Sequence, residues 1–317
     1  MEQLRLAYRY PFTSYGKREI SSHAQLLKNE YLVSEARNRL LGVLSGGNYP
    51  IVDTESEEKM AEELAIYAIC RLVVTHLNNN YVTNRFAIAY SKSLYAKRIE
   101  NREMDGELTM LLDDFGIEAE KTDNGYDIDI FSFVKYSPNA VHYSLFYREV
   151  KNGRVRVAFD ELKRMLQEAV TRHLLALPRI EKKDHFYNAI GQAVLSRLPK
   201  KETAKVSFRE GDNPPCIEKL LDEMRMHKNL NHYARWSLAV YLMNKDVGLD
   251  DMLKIYANAP DFSEKISTYQ LKHVIEHGYK MPTCDKMKLY GLCVAECGIG
   301  NPIRWSVKRG SGKKMDK

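Results

Sequence analysis

No stretch of about 18 consecutive apolar residues occurs in the 317-residue sequence, and no basic segment leads into a short apolar one at its amino end. The expectation is a cytoplasmic protein with no membrane partner. In such a compartment disulfides are disfavoured. No Gly-x-Gly-x-x-Gly follows a strand-like run, so a flavin or nicotinamide enzyme lacks its fingerprint. Gly310-Ser311-Gly312-Lys313-Lys314 imitates the end of a phosphate loop, but neither the strand before it nor the helix after it is there. It reads as a flexible basic tail. Asp127 and Asp129 have the spacing of a two-metal nucleotidyl-transfer pair, yet no third carboxylate or triphosphate cradle accompanies them. Their alternation with Ile128 and Ile130 reads instead as the exposed side of a strand.

Cysteine is scarce too, and its distribution is the most informative feature present. One of the five, Cys70, sits inside the apolar run from Leu64 to Val74 and reads as a core residue. The other four, Cys216, Cys284, Cys293 and Cys297, follow the pattern C-x67-C-x8-C-x3-C. Four thiolates brought together from distant points suit one metal centre, either zinc or an iron-sulfur cluster. Zinc sites usually present two knuckles with about two to four residues between cysteines, and only Cys293 and Cys297 come that close. A lone ligand with a wide triplet fits a [4Fe-4S] cube better. An iron-sulfur redox protein and a zinc-stabilised nucleic-acid-binding module are the alternatives.

Hydrophobic residues make up 44% and charged residues 28%, the balance of an ordinary globular protein long enough for two domains. Of the net charge of +6, residues 201–317 carry +5, from 20 Lys and Arg against 15 Asp and Glu. That excess favours a polyanionic partner without deciding for one.

Along the chain, apolar spacing near three and four predicts helices over most of the first 116 residues. Ser22 is expected to open one of them, ended by Gly46 and Gly47. Thr54 with Glu57 is expected to cap a second that is apolar nearly all round, and a third, about Thr83 to Ile99, presents Arg85, Lys92, Lys97 and Arg98. Period-two alternation at Tyr126–Ile130 and the turn signal Asn152-Gly153 then predict a small inserted sheet. Asp160 is expected to cap a long helix behind it. After a polar stretch from Pro199 to Asp212, Pro214-Pro215 starts a helix with Cys216 in its first turn, where the helix dipole favours a thiolate. Cys293 and Cys297 share a face if their segment is helical.

Several of these segments, in order, resemble the large subunit of archaeal and eukaryotic DNA primase, the archaeal form most closely. They are Tyr10-Pro11-Phe12, Pro214-Pro215-Cys216-Ile217, His232-Tyr233-Ala234-Arg235, Tyr269-Gln270-Leu271-Lys272-His273, Pro282-Thr283-Cys284, Tyr290-Gly291-Leu292-Cys293, Cys297 and Asn301-Pro302. The resemblance implies a regulatory subunit with no catalytic residues of its own. It implies a first domain that docks the catalytic small subunit, and a second that holds a [4Fe-4S] cluster on Cys216, Cys284, Cys293 and Cys297. That second domain helps start RNA/DNA primers by binding single-stranded DNA template and a nucleoside triphosphate. The expectation is a shorter protein than the eukaryotic members, without their long amino-terminal extension.

Beside the resemblance, His232 and Arg235 fall on one helix face, where a guanidinium fork and an imidazole suit phosphate oxygens. Lys272 and His273 offer cations for a nucleic-acid backbone, and Tyr256 and Tyr269 offer rings for base stacking. The expected architecture is mainly α. A helical domain at 1–200 carries a small α/β insertion at about 117–160, and a linker at 201–212 leads to an all-α iron-sulfur domain at 213–308 and a tail at 309–317.

Overall fold

The structure is a computed structural model that describes residues 2–100, 104–138, 140–178, 184–198 and 211–305. It is mainly helical, with one small antiparallel sheet, and divides into two compact units, Met1–Pro199 and Lys200–Lys317. All but the last two residues of the expected linker, and the whole of the expected basic tail, lie outside the described residues.

The first unit is built from α1 (Glu2–Arg9), α2 (Ser14–Ser22), α3 (Glu30–Leu44), α4 (Glu57–Leu77), α5 (Asn80–Leu94) and α6 (Asp105–Phe115), followed by the sheet and its helices. The run predicted to be apolar all round is the middle of α4, where Leu64, Ile69, Cys70 and Val73 are essentially inaccessible. Each such aliphatic side chain contributes about 1.5–3 kcal/mol through burial. Cys70 is a core residue as expected: burial pushes its thiol up to about 12, and its Sγ donates to the Ala36 carbonyl at 3.5 Å.

Three helix boundaries differ from expectation. Ser22 ends α2 rather than opening a helix, and a 3₁₀ turn at Ala24–Lys28 separates it from α3. Ser56, not Thr54, caps α4, its hydroxyl accepting from the Lys59 amide at 3.4 Å. The third helix starts earlier, at Asn80, and passes into a π-helical turn at Tyr95–Ile99. Two of its arginines turn inward: Arg85 Nε donates to the Val43 carbonyl at 2.7 Å, and Arg98 to those of Tyr8 and Val52 at 3.2 and 2.9 Å. Both join segments that helices alone leave unpaired.

The sheet contains β1 (Ala119–Thr122), β2 (Gly125–Asp129), β3 (Val150–Lys151) and β4 (Arg154–Val157) in the order β1-β2-β4-β3. Its inner face pairs Ile128 with Val155, both fully buried. On the outer face Asp127 opposes Arg156, and two hydrogen bonds at 2.8 and 2.9 Å join them. Asp129 caps α7 (Ile130–Tyr136) by accepting from the Ser132 amide at 2.8 Å. The two carboxylates thus have separate structural tasks and make no paired metal site. The hairpin turn is as predicted: Asn152 and Gly153 both have positive φ, 51° and 72°, as a type I′ turn requires. The long helix behind the sheet, α8 (Phe159–Leu175), packs on α5. Its first amide-side contact comes from Glu161, which accepts from the Ala158 amide, so Asp160 is not the cap. The unit closes with α9 (His185–Ser196).

Candidate nucleotide cavity and cysteine cluster

The second unit consists of α10 (Pro215–Arg225), α11 (His232–Met243), α12 (Leu249–Tyr256), α13 (Glu264–His277) and α14 (Cys284–Leu289). Its core is Ile217, Leu238, Val240, Tyr241, Met252 and Met287. Pro215 occupies the first turn of α10, where its missing N–H costs nothing, and this places the buried Cys216 next to the helix start. Trp305 Nε1 donates to the Gly211 carbonyl at 2.9 Å and ties together the two ends of the described unit.

The cysteine segment is held by its backbone. Thr283 caps α14, the Cys284 amide donates to the Gly300 carbonyl at 3.0 Å, and the amides of Leu292 and Cys293 both reach the Met287 carbonyl. Beyond α14 the segment is a loop, so Cys293 and Cys297 do not share a helix face. Gly291, Gly298 and Gly300 all have φ near +70°, which no continuing helix accommodates. The two sulfurs nonetheless meet, since both donate to the Ala295 carbonyl, at 3.4 and 3.6 Å.

All four cysteines of the C-x67-C-x8-C-x3-C pattern are free thiols in one electrostatic neighbourhood. Burial pushes the Cys216 thiol up to about 11, with Cys293, Cys284 and Cys297 adding to the shift and the Ile217 amide opposing it. Burial and then Cys293 and Cys297 raise Cys284 as well. The amino-terminal end of α10 is therefore outweighed: by itself the protein favours the thiol at Cys216, not the expected thiolate. Among the described residues no group of three or more His, Cys, Asp or Glu side chains is disposed to hold a single metal ion.

A cavity of about 470 Å³ opens beside the start of α11. Asn231 caps that helix by accepting from the Ala234 amide at 2.8 Å, which puts His232 in its first turn and Arg235 one turn later. Both line the cavity, together with Tyr269 and His273 from α13 and Tyr256 from α12. Five of the six residues expected to contact nucleotide or template thus converge. The sixth, Lys272, is exposed on α13 but outside the cavity wall.

Two side chains differ in detail from their expected roles. Arg235 is not a free fork: Nε donates to the Leu230 carbonyl at 2.9 Å, and Nη2 to Asn229 and Asp261, each at 2.5 Å. Tyr256 is only 5% exposed, and its hydroxyl donates to the Arg235 carbonyl, so its ring is packing and not a base platform. Tyr269, at 72% exposed, keeps an open ring. Asp261 and Tyr279 also line the wall, beside Trp236, and went unnoticed in the sequence, where a lone acid in a turn and a scattered ring carry no periodic signal. Tyr233 stacks on Tyr290 at 4.4 Å between ring centres and so braces α11 against the cysteine segment.

Residues 207–302 match the family described as the C-terminal domain of the eukaryotic and archaeal DNA primase large subunit. Similarity to DNA primase large subunits extends far beyond that domain. The chain is 28% identical to the one from Methanosarcina mazei over 93% of its own length and 85% of the relative's. Against the Methanococcoides burtonii protein the identity is also 28%, over 95% and 91%. The Halobacterium salinarum protein is 23% identical, over 90% and 87%. The chain thus resembles the DNA primase large subunits over most of its length. Within the family match fall Cys216, Cys284, Cys293, Cys297 and all six residues considered for the cavity. Among the described residues no helix is long and apolar enough to cross a membrane.

Proposed function

We propose that the chain is the non-catalytic regulatory subunit of a cytoplasmic DNA primase, joined to the catalytic small subunit through residues 1–200. Its second unit binds the initiating nucleoside triphosphate and the single-stranded DNA template. One observation carries the reading: His232, Arg235, Tyr269 and His273, from two helices, face one cavity whose volume lies in the range of small-molecule sites. Arg235 is anchored through Nε and Nη2, which leaves Nη1 as the nitrogen a phosphate oxygen meets. Its orientation is set before the ligand arrives, so little side-chain entropy is lost on binding. His232 adds a second donor to the same oxyanion, and the open ring of Tyr269 offers a face to a base. Lys272, just outside, suits the backbone of template or primer.

The cysteines fit a [4Fe-4S] cluster by their donor chemistry. All four are thiols, and the neighbouring sulfurs raise the proton affinity of Cys216 and Cys284, a repulsion that a cationic iron core would reverse. When bound, such a core links the start of α10 to the segment after α14 and supplies folding free energy to the unit. A zinc-stabilised module is the second reading, which four thiols allow by donor type, although among the described residues no three of them are disposed to hold a single ion. Stoichiometric iron with broad absorbance near about 400 nm supports the first, and stoichiometric zinc without iron supports the second.

Replacing Arg235 by Ala in the assembled primase, with both subunits present, tests the cavity. De novo initiation on single-stranded DNA is expected to fall about tenfold or more, while extension of a preformed primer is retained. Equal loss in both assays refutes the assigned role.

A further inference from the structure

We propose that His273 and His277 form a chelating site for a divalent first-row transition-metal ion, separate from the cysteine centre. The two residues stand one turn apart on the solvent-facing side of α13, so their rings project from one face. Their Nδ1 atoms are 2.7 Å apart, with the ring planes at 81° and ring centres 3.9 Å apart. His277 Nδ1 also lies 2.9 Å from the His273 carbonyl. In the metal-free protein one hydrogen fits between the facing nitrogens, which the His277 ring donates and the His273 ring accepts.

That arrangement is close to a metal bite. Imidazole binds zinc at about 2.0–2.1 Å, so two nitrogens on neighbouring coordination positions stand about 3 Å apart. A small rotation of either ring opens the present separation to that value. Binding through both Nδ1 atoms requires His277 in the tautomer protonated at Nε2, with both rings neutral. Other aromatic rings already hold the two histidines in place. His277 stacks on Tyr279 at 5.6 Å with planes 9° apart, and His273 lies between Tyr279 at 5.9 Å and Tyr269 at 6.4 Å. Little rotamer freedom is therefore lost on chelation.

Imidazole pairs select zinc, nickel and copper, whereas the thiol set of the cysteines suits soft centres and clusters. No third His, Cys, Asp or Glu among the described residues joins the pair, which leaves the remaining positions on the ion to water or an incoming ligand.

The test uses the untagged full-length protein with its cysteine centre loaded, washed with chelator, and Ni²⁺ alone as probe in isothermal titration. One Ni²⁺ per chain is expected. Affinity should fall at least tenfold in His277→Phe, which keeps a ring on Tyr279, and in His273→Gln, but not in His232→Gln. A second measurement needs no variant: Ni²⁺ should protect His273 and His277 of the wild type from diethyl pyrocarbonate, read by mass spectrometry. Titrations that match between wild type and both variants, or undiminished modification of the two histidines in saturating Ni²⁺, overturn the proposal.

Discussion

Asp261→Asn isolates what holds Arg235 in place. The carboxylate meets Nη2 at 2.5 Å, and the two side chains are 20% and 21% exposed, so the pair is neither free in water nor fully desolvated. A hydrogen bond to a charged partner contributes about 1.5–3 kcal/mol when well buried. Solvent screening, and the amide oxygen that asparagine retains, reduce the expected loss to about 1 kcal/mol. In a unit of roughly 100 residues that is a fall of about 4–8 °C in the midpoint of thermal unfolding. The same change loosens the guanidinium, since Asn229, the Leu230 carbonyl and a neutral amide oxygen then hold it in place of a carboxylate. De novo initiation should drop about three- to tenfold with primer extension unchanged, a loss of the order of 1 kcal/mol. Differential scanning calorimetry and paired initiation and extension assays read the two effects. A variant with the wild-type midpoint and the wild-type initiation rate would show that Asp261 does not position Arg235.

Cys216→Ser should abolish loading of the proposed metal centre and unfold the second unit at a markedly lower temperature, because a structural centre supplies folding free energy; wild-type iron or zinc content in the purified variant refutes the ligand assignment. Acid should weaken the first unit through His173, which burial holds down at about 4 against Phe12 and Phe115, with Lys17 and Arg71 adding to the effect and Asp114 opposing it. The unfolded chain takes up that proton near about 6.5, so stability is full above that pH and drains as pH falls toward about 4, by about 2 kcal/mol after allowance for partial exposure. Urea midpoints of wild type and His173→Phe at pH 7 and 5 should therefore differ in slope, and parallel behaviour contradicts the burial. Gly153→Val should cost about 1–2 kcal/mol, since φ is 72° there; an unchanged urea midpoint means the hairpin does not depend on its type I′ turn.

Local periodicity made the long elements legible. The all-round apolar run of α4, the Asn152-Gly153 hairpin and the proline-started α10 appear where their patterns place them. Boundaries were less legible because distant groups set them. Thr54 and Ser56 are both competent caps, and the choice falls to Tyr8, whose hydroxyl accepts from the Thr54 amide at 3.1 Å and donates to the Val52 carbonyl at 2.7 Å. That contact ties residues 52–54 to α1, and the helix begins only after Ser56. The inward turn of Arg85 and Arg98 was hidden for a similar reason, as their carbonyl partners lie 42 to 90 positions away in sequence.

In the candidate site, residue type was legible and accessibility was not. Tyr256 and Tyr269 look alike in sequence, yet one ends α12 pointing into the core and the other stands on the open side of α13. Arg235 announced a phosphate donor, but only the fold reveals Asp261 from the loop after α12 as its anchor. The convergence of Cys293 and Cys297 came from the wrong local structure, since positive-φ glycines and a shared carbonyl, not a helix face, bring them together.

The cavity and the cysteine segment are mechanically one construction. Tyr233 lies between His232 and Arg235 on α11 and stacks on Tyr290, three residues before Cys293. Asn301, four residues after Cys297, donates from Nδ2 to the Met281 carbonyl at 3.1 Å, and the neighbouring Tyr279 carbonyl accepts from Asn244 at the end of α11 at 3.3 Å. The Tyr279 ring in turn packs on Trp236 in the cavity wall. Both ends of α11 are thus fixed to the chain that carries the cysteines. A centre that fastens those cysteines therefore also fixes the helix from which His232 and Arg235 project, and it does so without touching the ligand.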